Sequence, residues 1–391
     1  MIAALAVCLF SILIWAAHLV STILERLQFL REPASPASTE EDVRVAIVVP
    51  ARNEAHQVAA CVRSLLLQTW TNLHIIVVDD RSEDGTAANV QALRLDPLLL
   101  AAHHNNLPLT LVQGTALPEG WLGKNHANFQ GACAAKALGA AWLLFTDADT
   151  VHSPDALATA LATGRAYGAA LVTFSTGLDL QTVAEKVFLT NITLAIGAIF
   201  PTRYIHDPRC GTALANGQFI LIRRDVYDRV GAHAAIRASV CDDLELARAV
   251  KSSGFKLRVV RGQNLVRARM YTSFSGIWWG FSKNMAYGIG GPARAAVGAL
   301  FALLLVLPFF LLPFAPWLPA PVIFSCAAAV ILALAQRVYA FVWFFPRISP
   351  LWALSLPVAY VVMAGILCHS ACRIAAGRGS RWKGREYPDA R

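Results

Sequence analysis

The chain has 391 residues, of which 56% are hydrophobic and 15% are charged, and its mean hydropathy is +0.49. This composition excludes an ordinary water-soluble protein and a disordered one, so we expect part of the chain to lie in a membrane. The formal net charge of +9 suits an anionic lipid surface, a phosphate-bearing substrate or nucleic acid, and charge alone does not choose among them. The eight cysteines form no CxxC or His-spaced pairs, which predicts buried free thiols rather than a zinc site.

Apolar stretches without charge lie at the two ends of the chain, at residues 1–24, 295–336 and 348–372. The first has no basic region before it and is longer than a signal-peptide core, so it predicts an uncleaved anchor. Arg26 and Arg31 follow it closely, and the positive-inside rule places the polar part of the chain in the cytoplasm. The prolines of residues 295–319 favour a re-entrant hairpin over a full crossing, with three full crossings as the alternative.

Composition divides the chain into six successive segments. They are an anchor (1–24), a linker (25–42), an α/β domain (43–270), an amphipathic interface helix (271–290), C-terminal membrane segments (291–372) and a basic tail (373–391). In the fourth segment, apolar side chains recur at helical spacing, and we expect Trp278, Trp279 and Phe281 to contact the membrane or a lipid acceptor. The alternative is an ordinary helix that faces a protein core.

Short aliphatic runs alternate with Ala-rich stretches between residues 43 and 270. The predicted strands are Val45–Val49, Leu73–Val78, Leu109–Val112, Trp142–Phe145, Gln218–Ile222 and Lys256–Val260. The predicted helices are Glu54–Leu67, His126–Leu138 and Asp243–Lys251. Continuous apolar strands that alternate with helices predict a parallel sheet covered on both faces, an open α/β fold of the nucleotide-binding kind.

Polar residues follow several predicted strands, where the ligand crevice of an open α/β sheet lies. Asp147 and Asp149 leave an extended strand at positions i and i+2, so both carboxylates face the same way. A divalent ion held by such a pair also binds diphosphate oxygens, and it neutralises the charge of a departing nucleoside diphosphate. The alternative is that these residues only cap the following helix.

Two further segments carry candidate chemistry. Asp242 and Asp243 open a predicted helix, and a carboxylate beside a second carboxylate has a raised pKa and can accept a proton from an acceptor hydroxyl. The alternative is helix capping with dipole compensation. Lys124 ends the glycine-flanked loop GWLGK and can balance phosphate charge. That loop does not match GxxxxGK[ST], so ATP hydrolysis of that type is not indicated.

Six segments, taken in order, resemble the family 2 inverting glycosyltransferases. They are VPARNE (49–54), VVDDRSEDGT (77–86), GWLGK (120–124), TDADT (146–150), NGQF (216–219) and CDDLELA (241–247). The sequence is most similar to the bacterial branch associated with hopanoid biosynthesis. The resemblance covers about residues 43 to 290, and it implies a GT-A fold with an N-terminal transmembrane anchor and C-terminal transmembrane helices.

The resemblance also implies roles for individual residues. The donor site would contain Pro50, Asn53, Glu54, Asp80, Lys124 and Asp147. A Mg²⁺ or Mn²⁺ ion would be held by Asp149 and Asp147, and Asp243 would be the catalytic base with Asp242 beside it. The QxxRW motif of processive members is absent, because Gln263 is followed three residues later by Val266. This absence favours transfer of a single sugar.

We therefore expect a glycosyltransferase in the cytoplasmic (inner) membrane of a bacterium, with its catalytic domain in the cytoplasm. It would move one sugar from a nucleotide-diphosphate donor, a UDP-sugar, to a lipid hydroxyl such as that of a hopanoid, and no nucleic-acid partner is expected. The alternatives are a polyprenyl-phosphate glycosyltransferase and a transporter or non-catalytic nucleotide-sensing membrane protein. The apolar segments hold few ionisable residues, which weighs against transport.

Overall fold

The computed structural model describes residues 2–30, 43–377, 380–382 and 385–387. Residues 31–42, which make up most of the expected linker, and much of the expected basic tail lie outside this description. The chain divides into two compact units. Of the described residues, the helical unit contains 2–30, 180–201 and 271–377, and the sheet unit contains 43–179, 202–270, 380–382 and 385–387.

The helices and strands are numbered in chain order. The helices are α1 Ile2–Leu30, α2 Val58–Leu66, α3 Thr86–Ala92, α4 Pro97–Ala102, α5 Gly123–Lys136, α6 Ala156–Tyr167, α7 Thr190–Ile199, α8 Thr202–His206, α9 Arg224–Arg229, α10 Ala232–Ala235, α11 Asp242–Ser252, α12 Phe274–Gly288, α13 Pro292–Leu311, α14 Ala320–Phe344 and α15 Leu356–Ala375. The strands are β1 Val45–Ala51, β2 Leu73–Asp79, β3 Leu109–Gln113, β4 Trp142–Phe145, β5 Thr150–His152, β6 Leu171–Leu178, β7 Ile220–Arg223, β8 Leu257–Ala268, β9 Ser380–Trp382 and β10 Arg385–Tyr387.

The sheet unit is built on an eight-stranded sheet with the order β3-β2-β1-β4-β7-β6-β8-β5. Strands β1 to β4 are parallel to one another, whereas β7 is antiparallel to β4 and β6 and β5 is antiparallel to β8. The α/β fold and all six expected strands are confirmed. The expected all-parallel sheet is wrong, because a strand buried on both faces is apolar in either direction.

Helix α5 lies close against the parallel part of the sheet. A Cβ at Gly131 would collide with Val48 of β1 and would lie 3.1 Å from Val78 of β2. The helix can approach the sheet this closely because glycine has no side chain. Its first turn, which contains Lys124, is thereby held beside the carboxyl ends of β1 and β4.

The helical unit contains helices that are long and apolar enough to cross a membrane. The candidate spans within the described residues are Ile2–Gln28, Pro292–Trp317, Ala320–Phe344 and Pro350–Ala375. The shortest has 25 residues, or roughly 38 Å of helix against a hydrocarbon core of roughly 30 Å. Helix α13 continues through Pro308, so the prolines interrupt it only near its end. The re-entrant hairpin stays a prediction, because length does not decide crossing.

All eight cysteines are free. Cys8, Cys61 and Cys326 are buried as expected, whereas Cys133 and two cysteines of α15, Cys368 and Cys372, are exposed. The expectation of burial is therefore wrong for these three, because a small thiol is also tolerated on a helix face outside the core.

Candidate functional site

The DxD segment follows β4 at the centre of the sheet. Thr146 donates its hydroxyl hydrogen to the backbone oxygen of Gln218 at 2.7 Å, which ties this segment to the entry of β7. The Asp149 oxygen Oδ1 is buried and has no hydrogen-bond partner. Burial, then the charges of Asp147 and Glu54, raises the pKa of Asp149 to about 7. A buried carboxylate oxygen without a donor is suited to a cation.

Lys124 lies in the first turn of α5 and faces three carboxylates. Its Nζ is 2.7 Å from Asp147 Oδ1 and 3.6 Å from Asp242 Oδ2. Burial would lower the pKa of Lys124, but the charges of Asp147, Asp242 and Asp243 outweigh this effect and raise the pKa above its ordinary value. The side chain therefore stays a cation, available to an incoming phosphate.

Asp243 lies in the first turn of α11 and reaches across to another segment of the chain. Its Oδ2 accepts a hydrogen bond from the backbone N–H of Gly217 at 3.1 Å, and its Oδ1 accepts one from Leu244 N–H at 2.8 Å. Burial and the neighbouring Asp242 raise the pKa of Asp243 to about 6, against the opposing effect of Lys124. A carboxylate with a pKa near neutrality is well matched to accepting a proton.

Gly217 lies at the point where these side chains meet. A Cβ built on it would be 2.9 Å from Lys124 Nζ and 3.6 Å from both Asp147 Oδ2 and Asp243 Oδ2. The segment is fixed by its neighbour Asn216, whose backbone N–H donates to Thr173 Oγ1 at 2.9 Å. In the sequence alone, the NGQ segment is compatible with a simple turn. A glycine between two amide residues before a buried strand is the signal that could have indicated a site.

A small cleft in the sheet unit is lined by Lys124, Gly217 and the carboxylates of Asp147, Asp242 and Asp243. Pro50, one of the expected donor-site residues, also lines it, together with Asn128 and His233. Burial lowers the pKa of His233 to about 4, so this side chain is a neutral wall of the cleft at neutral pH. The cleft thus combines one cation and several carboxylates with an uncharged rim.

Asn53 and Glu54 lie in the loop after β1, which is bonded to the loop after β2. Asn53 N–H donates to Ser82 Oγ at 3.0 Å, and Asn53 Oδ1 accepts from Glu83 N–H at 2.9 Å. Glu54 N–H donates to Thr86 Oγ1 at 2.9 Å. Asn53 has a φ of +54°, a left-handed conformation that asparagine tolerates better than most residues. The Asn53 side chain therefore holds the two loops together.

Asp80 directly follows β2 and is buried, and its carboxylate contacts an arginine near the C-terminus. Arg385 Nη1 lies 2.6 Å from Asp80 Oδ2, and Nη2 lies 3.2 Å from Oδ1. His126 is close to both side chains: burial lowers its pKa, the Asp80 charge raises it, and the Arg385 charge lowers it. Neither Arg385 nor His126 was among the residues expected from the sequence.

The expected aromatic acceptor residues belong to α12 in the helical unit. Trp278 donates its Nε1–H to His369 Nδ1 at 3.0 Å, whereas the Trp279 side chain is 55% exposed. The ring of Phe281 lies 5.6 Å from that of Tyr271. Exposed and half-buried aromatic rings on one helix are typical of a membrane interface.

The carboxylates of the cleft decide whether the site fits a divalent ion. No group of three or more His, Cys, Asp or Glu side chains is gathered for a metal within the described residues. Asp149, with its unpartnered Oδ1, and the nearby Asp147 nevertheless offer hard oxygen ligands. Magnesium is commonly held by one or two carboxylates with substrate phosphates and water completing its shell. The residues present fit that arrangement.

The central part of the chain matches a known protein family. Residues 46–231 match the model of Glycosyl transferase family 2, and no curated protein matches the sequence. The mannosyltransferase PcManGT from Pyrobaculum calidifontis, in complex with GDP-Man and Mn²⁺, is 18% identical, with 95% of this chain and 98% of that chain covered and a TM-score of 0.50. This likeness confirms the GT-A fold.

A second similar structure is that of S. aureus TarS. It is 13% identical, covers 82% of this chain and 54% of that chain, and has a TM-score of 0.42. TarS residues 1–349 in complex with UDP-GlcNAc are 15% identical, with 86% and 92% of the two chains covered and a TM-score of 0.40.

Proposed function

We propose that this chain, which carries a glycosyltransferase family 2 domain, is a membrane-bound inverting glycosyltransferase of the hexosyltransferase type. It moves one sugar from a nucleotide-diphosphate donor, a UDP-sugar, to a hydroxyl of a membrane lipid, with a hopanoid as the candidate acceptor. The observation that carries the proposal is the convergence of Lys124, Asp147 and Asp243 around Gly217, where a Cβ would lie within 3.6 Å of all three side chains. A diphosphate-binding cation and a carboxylate base are thereby brought to one place.

Asp243 acts as the general base of this reaction. It accepts the proton of the acceptor hydroxyl as the acceptor oxygen forms a bond to the anomeric carbon and the bond from that carbon to the diphosphate oxygen breaks. A single displacement of this kind inverts the anomeric carbon. With a pKa raised to about 6, Asp243 is mostly ionised at neutral pH, and it binds the transferred proton more tightly than an ordinary aspartate does.

The departing nucleoside diphosphate is stabilised by positive charge. Lys124, 2.7 Å from Asp147 Oδ1, is placed to exchange part of its contact with that carboxylate for a phosphate oxygen. A Mg²⁺ or Mn²⁺ ion on Asp149 and Asp147 would neutralise charge that develops on the diphosphate. The Pyrobaculum enzyme of the same fold is a complex with GDP-Man and Mn²⁺, and we propose the same kind of donor and ion for this chain.

The apolar helices support a lipid acceptor. The four candidate spans among the described residues and the exposed Trp279 ring of α12 favour a bilayer location, where a soluble acceptor would gain nothing from anchoring. Arg26 after the first span favours a cytoplasmic sheet unit in a bacterial inner membrane. The donor site is then on the side where nucleotide sugars are made.

The test uses purified full-length protein in lipid nanodiscs. It is incubated with Mn²⁺, a panel of UDP- and GDP-sugars and a bacterial lipid extract with or without added hopanoid, and the lipids are analysed by mass spectrometry. We expect a lipid heavier by one sugar residue, in a reaction that needs Asp243. A product only with polyprenyl phosphate would instead support the polyprenyl-phosphate alternative. If the protein binds the donor but neither transfers its sugar nor hydrolyses it, the chain is a non-catalytic nucleotide sensor.

A further inference from the structure

The C-terminal hairpin brings an arginine to the sheet. Strands β9 and β10 pair antiparallel, with Arg385 opposite Trp382. From this hairpin, the guanidinium of Arg385 reaches both carboxylate oxygens of Asp80, at 2.6 and 3.2 Å. Two parallel contacts of this kind make a bidentate pair, which fixes orientation as well as charge.

The ion pair is largely withdrawn from water. The Asp80 side chain is 3% exposed and that of Arg385 is 19% exposed. Within the described part of the chain, Arg385 is the side chain that donates to the Asp80 carboxylate, whereas Arg52 donates to the backbone oxygen of Asp80 at 2.6 Å. A buried carboxylate that loses its cation is strongly destabilised. The hairpin therefore supplies the cation that pairs with the buried Asp80 carboxylate.

The surroundings of the pair are suited to a flat, polar ring. Gly114 lets the segment after β3 pass close to the backbone beside Asp80, because a Cβ there would be 3.1 Å from Asp80 Cα. The His126 ring is near both charged groups, and its centroid lies 5.3 Å from that of Trp121. Planar side chains and an ionised carboxylate together suit a nucleobase.

Arg385 and a nucleobase can use Asp80 together. An ionised carboxylate has about four lone-pair sites, and Arg385 occupies one on each oxygen. The remaining sites can accept an N–H from the ring of a base such as uracil. The base and Arg385 would then use different lone pairs of the Asp80 carboxylate.

We infer that Arg385 is a positioning residue of the donor site, which holds the Asp80 carboxylate in the orientation that accepts a ring N–H of the donor's nucleobase. The C-terminal hairpin is therefore part of the nucleotide site. This inference rests on the proposed nucleotide-sugar donor, and it adds a residue beyond the region that matches the family model, which ends at residue 231.

The test measures binding of UDP and of uridine to the full-length protein by isothermal titration calorimetry. Arg385→Ala is expected to weaken both ligands by the same factor, about tenfold or more, because the contact acts on the base and not on the phosphates. Arg385→Lys, which keeps the charge but loses the fork, is expected to give a smaller loss. The control Arg223→Ala removes the same charge from an exposed arginine of the sheet unit, which pairs with Asp225 at 2.6 Å, and it is expected to leave binding within about twofold.

A double substitution tests whether Arg385 acts through Asp80. The double variant with Asp80→Asn and Arg385→Ala should bind UDP no more weakly than Asp80→Asn alone, because each substitution by itself already removes the ion pair. Unchanged or tighter UDP binding by Arg385→Ala overturns the inference, as does a loss for UDP with none for uridine. If the wild type binds no nucleotide, the proposed function itself fails, and the inference fails with it.

Discussion

Replacing Asp243 by Asn removes the proposed base and keeps the size of the side chain. The amide cannot take the proton of an acceptor hydroxyl, so transfer is expected to fall by about a hundredfold or more. Donor binding should stay within about twofold, because Lys124 and Asp149 are untouched and the base acts in the transition state. The matched control is Glu245→Gln on the same helix, whose exposed carboxylate pairs with Arg248 at 2.6 Å.

The same substitution is expected to stabilise the fold at neutral pH. The Asp243 pKa rises from 3.8 to about 6, which corresponds to a cost of at most about 3 kcal/mol for holding the ionised form. Partial exposure of the side chain reduces this cost. Asn can accept only one of the two backbone N–H bonds that Asp243 accepts, from Gly217 and Leu244, and this loss costs about 1 kcal/mol. A net gain of about 1–2 kcal/mol remains, or about 2–8 °C in Tm.

The expected gain in stability of the Asn variant depends on pH. Because the Asp243 pKa is higher in the folded protein than in the unfolded chain, the wild type loses stability as the pH rises from about 4 to about 6. The Asn variant does not titrate, so its advantage is present at pH ~7.5 and absent near pH ~4. Wild-type transfer, in contrast, should fall as the pH drops below about 6, since the base becomes protonated.

Transfer is followed by the lipid product, donor binding by calorimetry, and Tm by scanning fluorimetry at both pH values. A variant that keeps most of its turnover would show that Asp243 only caps the N-terminal end of α11. A Tm at pH ~7.5 well below that of the wild type would refute the assignment of a desolvated carboxylate at this position.

Three other substitutions test separate parts of the site. Asp149→Ala should weaken UDP binding about tenfold and remove its dependence on Mn²⁺, and full wild-type activity in EDTA would contradict this. Gly217→Ala puts a Cβ 2.9 Å from Lys124 Nζ, so UDP affinity should fall about tenfold, whereas Gly211→Ala, with nothing within 4 Å, should bind normally in the same titration. Trp278→Ser should reduce transfer to lipid more than donor hydrolysis, and equal losses would indicate unfolding instead.

The fold was predictable where strands are apolar along their whole length. β1 and β4 are buried from end to end except for Pro50, and such runs stand out from their polar flanks. β6 escaped prediction because only its first half is buried, and β5 has three residues. The sequence does not predict that β7 lies antiparallel between β4 and β6, because strand direction depends on the path of the connecting segments.

The candidate site was predictable in part for a similar reason. Pro50 and Asp147 lie near the carboxyl ends of the neighbouring parallel strands β1 and β4, so their place in one cleft follows from the fold. The contact of Arg385 with Asp80 joins residues 305 positions apart. A basic tail gives no sign of which of its arginines is bound, since the choice depends on tertiary structure. The importance of Gly217 was not predictable for a different reason. This residue contributes by lacking a side chain, and the sequence does not show which side chains surround it.

The charges of the cleft explain why the donor would need a cation. Lys124 is surrounded by Asp147, Asp242 and Asp243, and Asp149 adds a fourth carboxylate nearby. A diphosphate brought to this cluster meets more negative than positive charge, and a low local dielectric makes that repulsion large. Burial first, and the neighbouring carboxylates second, raise the pKa values of Asp149 and Asp243. A divalent ion held by these carboxylates would relieve the repulsion, and Asp243 would remain the proposed group that takes the proton.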